Sequence, residues 1–278
     1  MYLSALFFRR TQIAYCTLVL VFLLAPVLII IPMAFNSSRY LAFPPPGFSL
    51  QYFNEIFLGE IERTGGKASK DWLEAMWNTL EIGFVTALVS TVIGSLTALG
   101  IVRGRFRGKL VLTAFLISPL IMPVIITAVG LFFLFAQLGL IETFAGMVIA
   151  HTVLATPFVL IVMSATLQGF DTNLERAAMS LGASPVRALL TVTLPIIAPG
   201  VVTSALFAFI ISFDEIVVAL FLSGAEYRTL PVRMFEGLRF EIDPAIAAVG
   251  TLVISVAALV LTATSLLRRR AQNLRGMR

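Results

Sequence analysis

The sequence predicts an all-α, polytopic membrane protein with six transmembrane helices. Composition is the first observation. Of the 278 residues, 59% are hydrophobic and only 13% are charged, where a soluble globular domain carries about a quarter. The mean hydropathy of +0.98 points the same way. Second, apolar spans lie near residues 12–35, 76–102, 110–136, 143–167, 196–222 and 245–267. Each exceeds the roughly 20 residues that cross a bilayer as a helix. Third, the basic residues are one-sided. The N-terminus, the 103–109 loop, the 168–195 loop and the C-terminal tail hold 13 of the 20 Lys and Arg but only two acids, Asp171 and Glu175. The opposite loops hold the other seven bases and ten acids. The positive-inside rule then puts both termini in the cytoplasm. The net charge of +5 is a topology signal, and no nucleic-acid partner is expected.

The elements follow in order. The first span is too long for a signal-peptide core, and no A-x-A site follows it, so it is retained. A long outer loop, 36–75, contains Pro44-Pro45-Pro46-Gly47 and Gly65-Gly66, which break regular structure. The second span carries Ser90, Gly94 and Ala98, a four-residue stripe suited to close packing between membrane helices. Pro119 and Pro123 in the third span, and Pro157 in the fourth, are expected to bend their helices. The chain divides into an N-terminal helix and outer loop (1–75), a core of five spans (76–267) with a cytoplasmic loop at 169–195, and a cytoplasmic tail (268–278).

Several chemistries lack their residues. No G-x-x-x-x-G-K-[ST] occurs, so the chain has no nucleotide site of the P-loop kind. His151 is the only histidine and Cys16 the only cysteine. A lone His without acidic or Cys partners reads as a packing or hydrogen-bonding group, and no metal site is expected. Neither a Ser-His-Asp nor a Cys-His centre can be argued.

The loop GFDTNLERAAMSLGASPVRALLTVTLPIIAPG, residues 169–200, carries the strongest local signal. Thr172 and Glu175 form a capping box that starts a helix near Asn173. Asp171 adds negative charge near that N-terminus. Gly182 ends the helix in a left-handed conformation. Ser184 then caps a second short helix with Pro185 at its first position. Leu194-Pro195 closes the unit.

This loop resembles the EAA loop of binding-protein-dependent permeases, the inner-membrane subunits of ABC importers. Ala177, Ala178, Gly182, Leu194 and Pro195 match the pattern, while Arg176 stands where the motif has glutamate, with Glu175 just before it. Further stretches, among them Arg105-Phe106-Arg107-Gly108-Lys109, Leu181-Gly182-Ala183-Ser184, Asp214-Glu215-Ile216-Val217-Val218 and Thr229-Leu230-Pro231, resemble the second permease of spermidine/putrescine importers. The resemblance implies a type I ABC importer permease fold in the bacterial inner membrane. It implies a second, homologous permease chain, two ATP-binding subunits and a periplasmic substrate-binding protein. It implies no cofactor in this chain, with ATP and magnesium held by the partner ATPase. It assigns the ATPase-coupling surface to Glu175, Arg176, Ala177, Ala178, Gly182, Ala183, Ser184 and Pro185.

Asp214 and Glu215 interrupt the apolar run FIISFDEIVVALFLSG halfway along the fifth span. An acid at a helix centre in lipid costs roughly 2.5–3.5 kcal/mol on insertion scales. Adjacent residues of a continuous helix point about 100° apart, so the two cannot share one narrow line: one could face a pathway while the other reaches a neighbouring helix or the partner chain. Two readings stay open: a pathway pair for a cationic cargo, or a structural pair satisfied inside the bundle. Ser212 is placed to donate nearby, and Tyr52 and Phe213 are candidate aromatic contacts for an amine, with ordinary packing as their alternative. The family's Asp-Asp is Asp-Glu here, and Leu120 stands where the spermidine permease has an acid.

These observations predict a transport subunit, not an enzyme, forming half of a pathway through the lipid for a small cationic or zwitterionic solute such as a polyamine. An importer for an amino acid or opine-like solute is the alternative. A secondary transporter would not need the paired-helix loop, and a membrane enzyme would need a catalytic cluster that the chain lacks.

Overall fold

The computed structural model describes residues 2–58, 71–240 and 243–274. The Gly65-Gly66 pair lies outside them. The described residues are helical almost throughout, with one isolated antiparallel bridge between Asn36 and Phe48. Two compact units emerge, one of residues 1–73 with 234–278 and the other of 74–233.

In the first unit, α1 (Tyr2–Ala34) packs along α12 (Ala245–Leu274), and α2 (Gln51–Leu58) packs on α12 as well. Asp243 opens α12: its carboxylate accepts the Ala245 N–H at 2.9 Å. Between α1 and α2 the outer loop folds around buried Asn36. That side chain donates to the Tyr40 carbonyl at 2.8 Å and accepts the Ser38 N–H at 2.9 Å. These bonds give a proline-rich loop a fixed form without regular structure.

The second unit holds α3 (Asp71–Arg103) from residue 74 onward, α4 (Lys109–Ile121), α5 (Val124–Leu138), α6 (Phe144–Gln168), α7 (Asn173–Ser180), α8 (Pro185–Ala188), α9 (Leu194–Phe213) and α10 (Val217–Leu222). A further helix, α11 (Leu230–Phe240), begins in it. The organiser is α6. It is apolar on all sides and buries residues around its whole circumference, as a central helix must. α9 lies along it, and α4 and α10 pack on other faces. The Ser90, Gly94 and Ala98 stripe of α3 is buried as expected. A Cβ built on Gly94 would stand 2.5 Å from Val159 Cγ1 of α6, so only glycine admits this approach.

The prolines act differently from one another. The third span breaks between α4 and α5, whose axes differ by 103°. Met122 takes the extended conformation that a following proline imposes, with ψ 137°. Pro119, by contrast, lies inside α4 without stopping it. Proline has no N–H for the Phe115 carbonyl four residues back, and the Ser118 hydroxyl donates to that carbonyl instead, at 2.7 Å. Likewise α6 runs through Pro157 without a break.

Among the described residues, four helices are long and apolar enough to cross a membrane alone, or five if the bent α4–α5 pair is one span. α12 continues the expected sixth, with an apolar stretch at Ala245–Leu259. The α3–α6 contact should respond to side-chain volume. Gly94→Leu is expected to destabilise the unit by about 1–3 kcal/mol, and Val159→Ala should recover part of the loss. Thermal unfolding in detergent measures both.

Candidate functional site

Two regions hold the predicted residues. The first is the 169–185 hairpin. α7 starts at Asn173 as expected, but not by the expected capping box. Thr172 makes no side-chain cap bond. Asp171 does that work, its carboxylate accepting the Asn173 N–H at 2.9 Å. Glu175 is drawn away to Arg103 at the end of α3, with N and O 2.8 Å apart. It also accepts a hydrogen bond from the Thr193 hydroxyl. A full opposite charge outcompetes the neutral Thr172 amide, so the box does not form.

The corner after α7 is a Schellman motif. The Ala183 N–H donates to the Ala178 carbonyl at 3.1 Å, and the Gly182 N–H to the Met179 carbonyl at 2.9 Å. Gly182 has φ +94°, the left-handed conformation predicted for it. Ser184 accepts the Arg187 N–H at 3.3 Å, and Pro185 occupies the first turn of α8, again as expected. Arg176, Ala177, Met179 and Leu181 are exposed on the hairpin.

Leu194-Pro195 does not close this unit. α8 passes through a π-helical turn, Leu189–Thr193, directly into α9. The Leu194 N–H reaches back five residues to the Leu189 carbonyl. That register shift absorbs the N–H that Pro195 lacks, and one helix runs from Pro185 to Phe213.

The second region is the acidic pair. It does not lie on a continuous helix, as the sequence suggested. α9 ends at Phe213, Asp214 is its C-terminal cap, and α10 begins at Val217. The span is thus broken at the two acids. Glu215 accepts the Val218 N–H at 2.8 Å, capping α10. Asp214 is exposed, and no described residue hydrogen-bonds its carboxylate. Ser212 is buried and does not reach the pair. It hydrogen-bonds His151 Nδ1 of α6 at 2.7 Å. Phe213 stacks at a tilt on Phe209, with ring centres 5.8 Å apart. Tyr52 belongs to the other unit. It is fully buried in α2, with its hydroxyl donating to the Ser38 carbonyl.

The described residues hold no group of three or more His, Cys, Asp or Glu able to bind a metal ion. Two participants escape the sequence reading, Arg103 and Thr193, which complete the Glu175 contact. The sequence marks His151 as a hydrogen-bonding group, but not Ser212 as its partner. The partners of Arg103, Thr193 and His151 lie 72, 18 and 61 positions away, so no local pattern announces them.

The model of the binding-protein-dependent transport system inner membrane component matches residues 90–273. The chain belongs to this family. It is similar to the Haemophilus influenzae spermidine/putrescine transport system permease protein PotC, at 31% identity over 95% of this chain and 98% of that one. It is 32% identical to the Escherichia coli putrescine transport system permease protein PotI, over 86% of this chain and 84% of that one. In fold it is similar to a chain of a bacterial ABC transporter involved in the import of the acidic polysaccharide alginate. The TM-score is 0.70, at 16% identity, over 96% of this chain and 97% of that one.

The permease is therefore a transport subunit of the inner membrane and not an enzyme. Its family implies a permease partner, a separate ATPase and a binding protein. The hairpin corner is its most sharply specified exposed feature. At Gly182 a Cβ meets no atom within 4 Å, so a substitution there strains the backbone alone. Left-handed backbone costs an L-residue about 1–2 kcal/mol. Gly182→Val should therefore destabilise the corner by about that amount, while Gly182→Asn, which tolerates this conformation, should largely preserve it; thermal unfolding in detergent measures both.

Proposed function

We propose that this permease forms half of the pathway of an ATP-driven importer for a small cationic solute, a polyamine, delivered by a periplasmic binding protein. A second, homologous permease chain forms the other half. Two ATP-binding subunits hold ATP and magnesium and receive the α7–α8 hairpin, through Arg176, Ala177, Ala178, Gly182, Ala183, Ser184 and Pro185. Both termini face the cytoplasm.

The observation that carries this reading is the broken span at Asp214 and Glu215. A discontinuous membrane helix leaves backbone and side-chain polar groups at membrane depth, which is tolerated only beside protein or a water-filled cavity. Glu215 is satisfied by α10. Among the described residues, none donates a hydrogen bond to the exposed carboxylate of Asp214. A passing ammonium group would supply the missing partner and recover part of its own lost hydration. The relatives named for spermidine and putrescine transport support the cargo class.

Uptake by the reconstituted complex tests this. Asp214→Asn keeps the shape and removes the charge. It should assemble normally and reduce uptake roughly tenfold, the scale of one charge-assisted hydrogen bond. Glu215→Gln retains an acceptor for Val218 and should have the smaller effect. Normal uptake in both single variants and in the double variant would remove the pair from the pathway.

Orientation has its own check. A cysteine at Lys67, outside the described residues, should react with an impermeant thiol reagent from outside intact cells. One at Arg105 should not. The reverse pattern overturns the sidedness and, with it, the cytoplasmic position of the hairpin.

A further inference from the structure

Four elements of the second unit converge on one ion pair. Arg103 closes α3, Glu175 lies in the first turn of α7, Thr193 ends the π turn that leads into α9, and Phe170 follows α6. Arg103 Nη2 stands 2.8 Å from Glu175 Oε1, and the side chains are only 30% and 14% exposed. The Thr193 hydroxyl donates to the same carboxylate oxygen. The guanidinium also lies 5.8 Å from the centre of the Phe170 ring. Each charge complements its own helix end, a cation at the C-terminus of α3 and an anion at the N-terminus of α7. Breaking a half-buried pair of this kind leaves its survivor uncompensated.

The hairpin has little else to orient it. None of the residues of α7 is fully buried. Its apolar side chains look outward: Leu174, Met179 and, beyond it, Leu181 and Val186 are all exposed. An apolar face seated on the bundle is therefore not what fixes α7. The chain connection and the Arg103–Glu175–Thr193 cluster are. A displacement of α7 consequently has a short polar route into the ends of α3 and α9.

We propose that the Arg103–Glu175–Thr193 cluster is a strut that makes the α7–α8 hairpin, α3 and α9 move as one piece, with Arg103 and Thr193 as positioning residues for coupling. The strut rests on the reading of the hairpin as the ATPase contact. It commits Glu175 to the inside of this chain and leaves exposed Arg176 as the charge that the first turn of α7 offers outward.

The test uses the whole reconstituted complex with two readouts. The first is solute imported per ATP hydrolysed, normalised to assembled complex. Arg103→Gln is expected to assemble and hydrolyse ATP while the ratio falls about tenfold, within the usual range of coupling between sites. The exchanged pair, Arg103→Glu with Glu175→Arg, should regain most of the ratio. An unchanged ratio, a loss of assembly alone, or no recovery in the exchanged pair overturns the strut. So does the pattern in which Glu175→Gln blocks assembly while Arg103→Gln is silent, since Glu175 would then face the ATPase.

The second readout is independent of transport. Spin labels at Gly100→Cys and Met179→Cys, with Cys16→Ser, report the distance from α3 to α7. It should be single and the same with and without ATP, and should broaden or shift in Arg103→Gln. A distance that changes with ATP in the parent complex overturns the strut. A parent complex that hydrolyses ATP yet imports no amine defeats the importer reading, and the distance still decides the strut.

Discussion

Backbone polar groups inside a bilayer have no water to turn to, so each must find its partner within the protein. The irregular points of the second unit show how closely this constraint is met. At Pro119 the Phe115 carbonyl loses its usual donor, and the Ser118 hydroxyl takes over. At Pro195 the helix shifts into a π turn and bonds from Leu194 to Leu189. At the break before α10 the Glu215 carboxylate accepts the Val218 N–H. Each irregularity is thus met by a specific side-chain bond or a backbone register shift. At Pro119 and Pro195 the helix continues, and at Met122-Pro123 it turns by 103°.

The same accounting explains where the charges sit. Arg103, Glu175 and Thr193 satisfy one another at the foot of α3 and α9. Beyond this cluster the hairpin closes its own ends, through the Schellman bonds at Gly182 and the Ser184 cap. Its exposed apolar side chains, with Leu181 at 91%, stay available to a partner. Self-sufficient backbone and unsatisfied apolar surface together suit an element that inserts into another protein as a preformed unit.

Local chemistry was legible in the sequence, and long-range pairing was not. Gly182, Ser184 and Pro185 were readable because a left-handed cap, a hydroxyl cap and a fixed φ are properties of single residues and their neighbours. The Ser90, Gly94 and Ala98 stripe was readable because small residues four apart share one helix face. Glu175 was misread because its capping role depended on what else approached it, and Arg103 comes from 72 positions earlier. The same limit applies to Ser212, whose partner His151 lies on another helix. Leu194-Pro195 looked like a stop because proline breaks most helices, and a π turn has no sequence signature of its own. The break at Asp214 was hidden by the apolar residues on both sides, which read as one uninterrupted span.

That break makes the two acids unequal. Asp214 caps the C-terminus of α9, where the helix dipole is negative and repels a carboxylate. Glu215 precedes α10, where free amides and a positive dipole end attract one. A continuous helix would have given both acids the same backbone environment and separated them only by direction. Breaking it gives one acid a structural duty and leaves the other with an unfavourable dipole and no hydrogen-bond donor among the described residues. Such a group gains most from a cation that arrives and leaves. Its binding need not be strong, because a residue that held the cation tightly would stop transport. The acid that completes its own backbone is poorly suited to that task, and the acid left incomplete is suited to it.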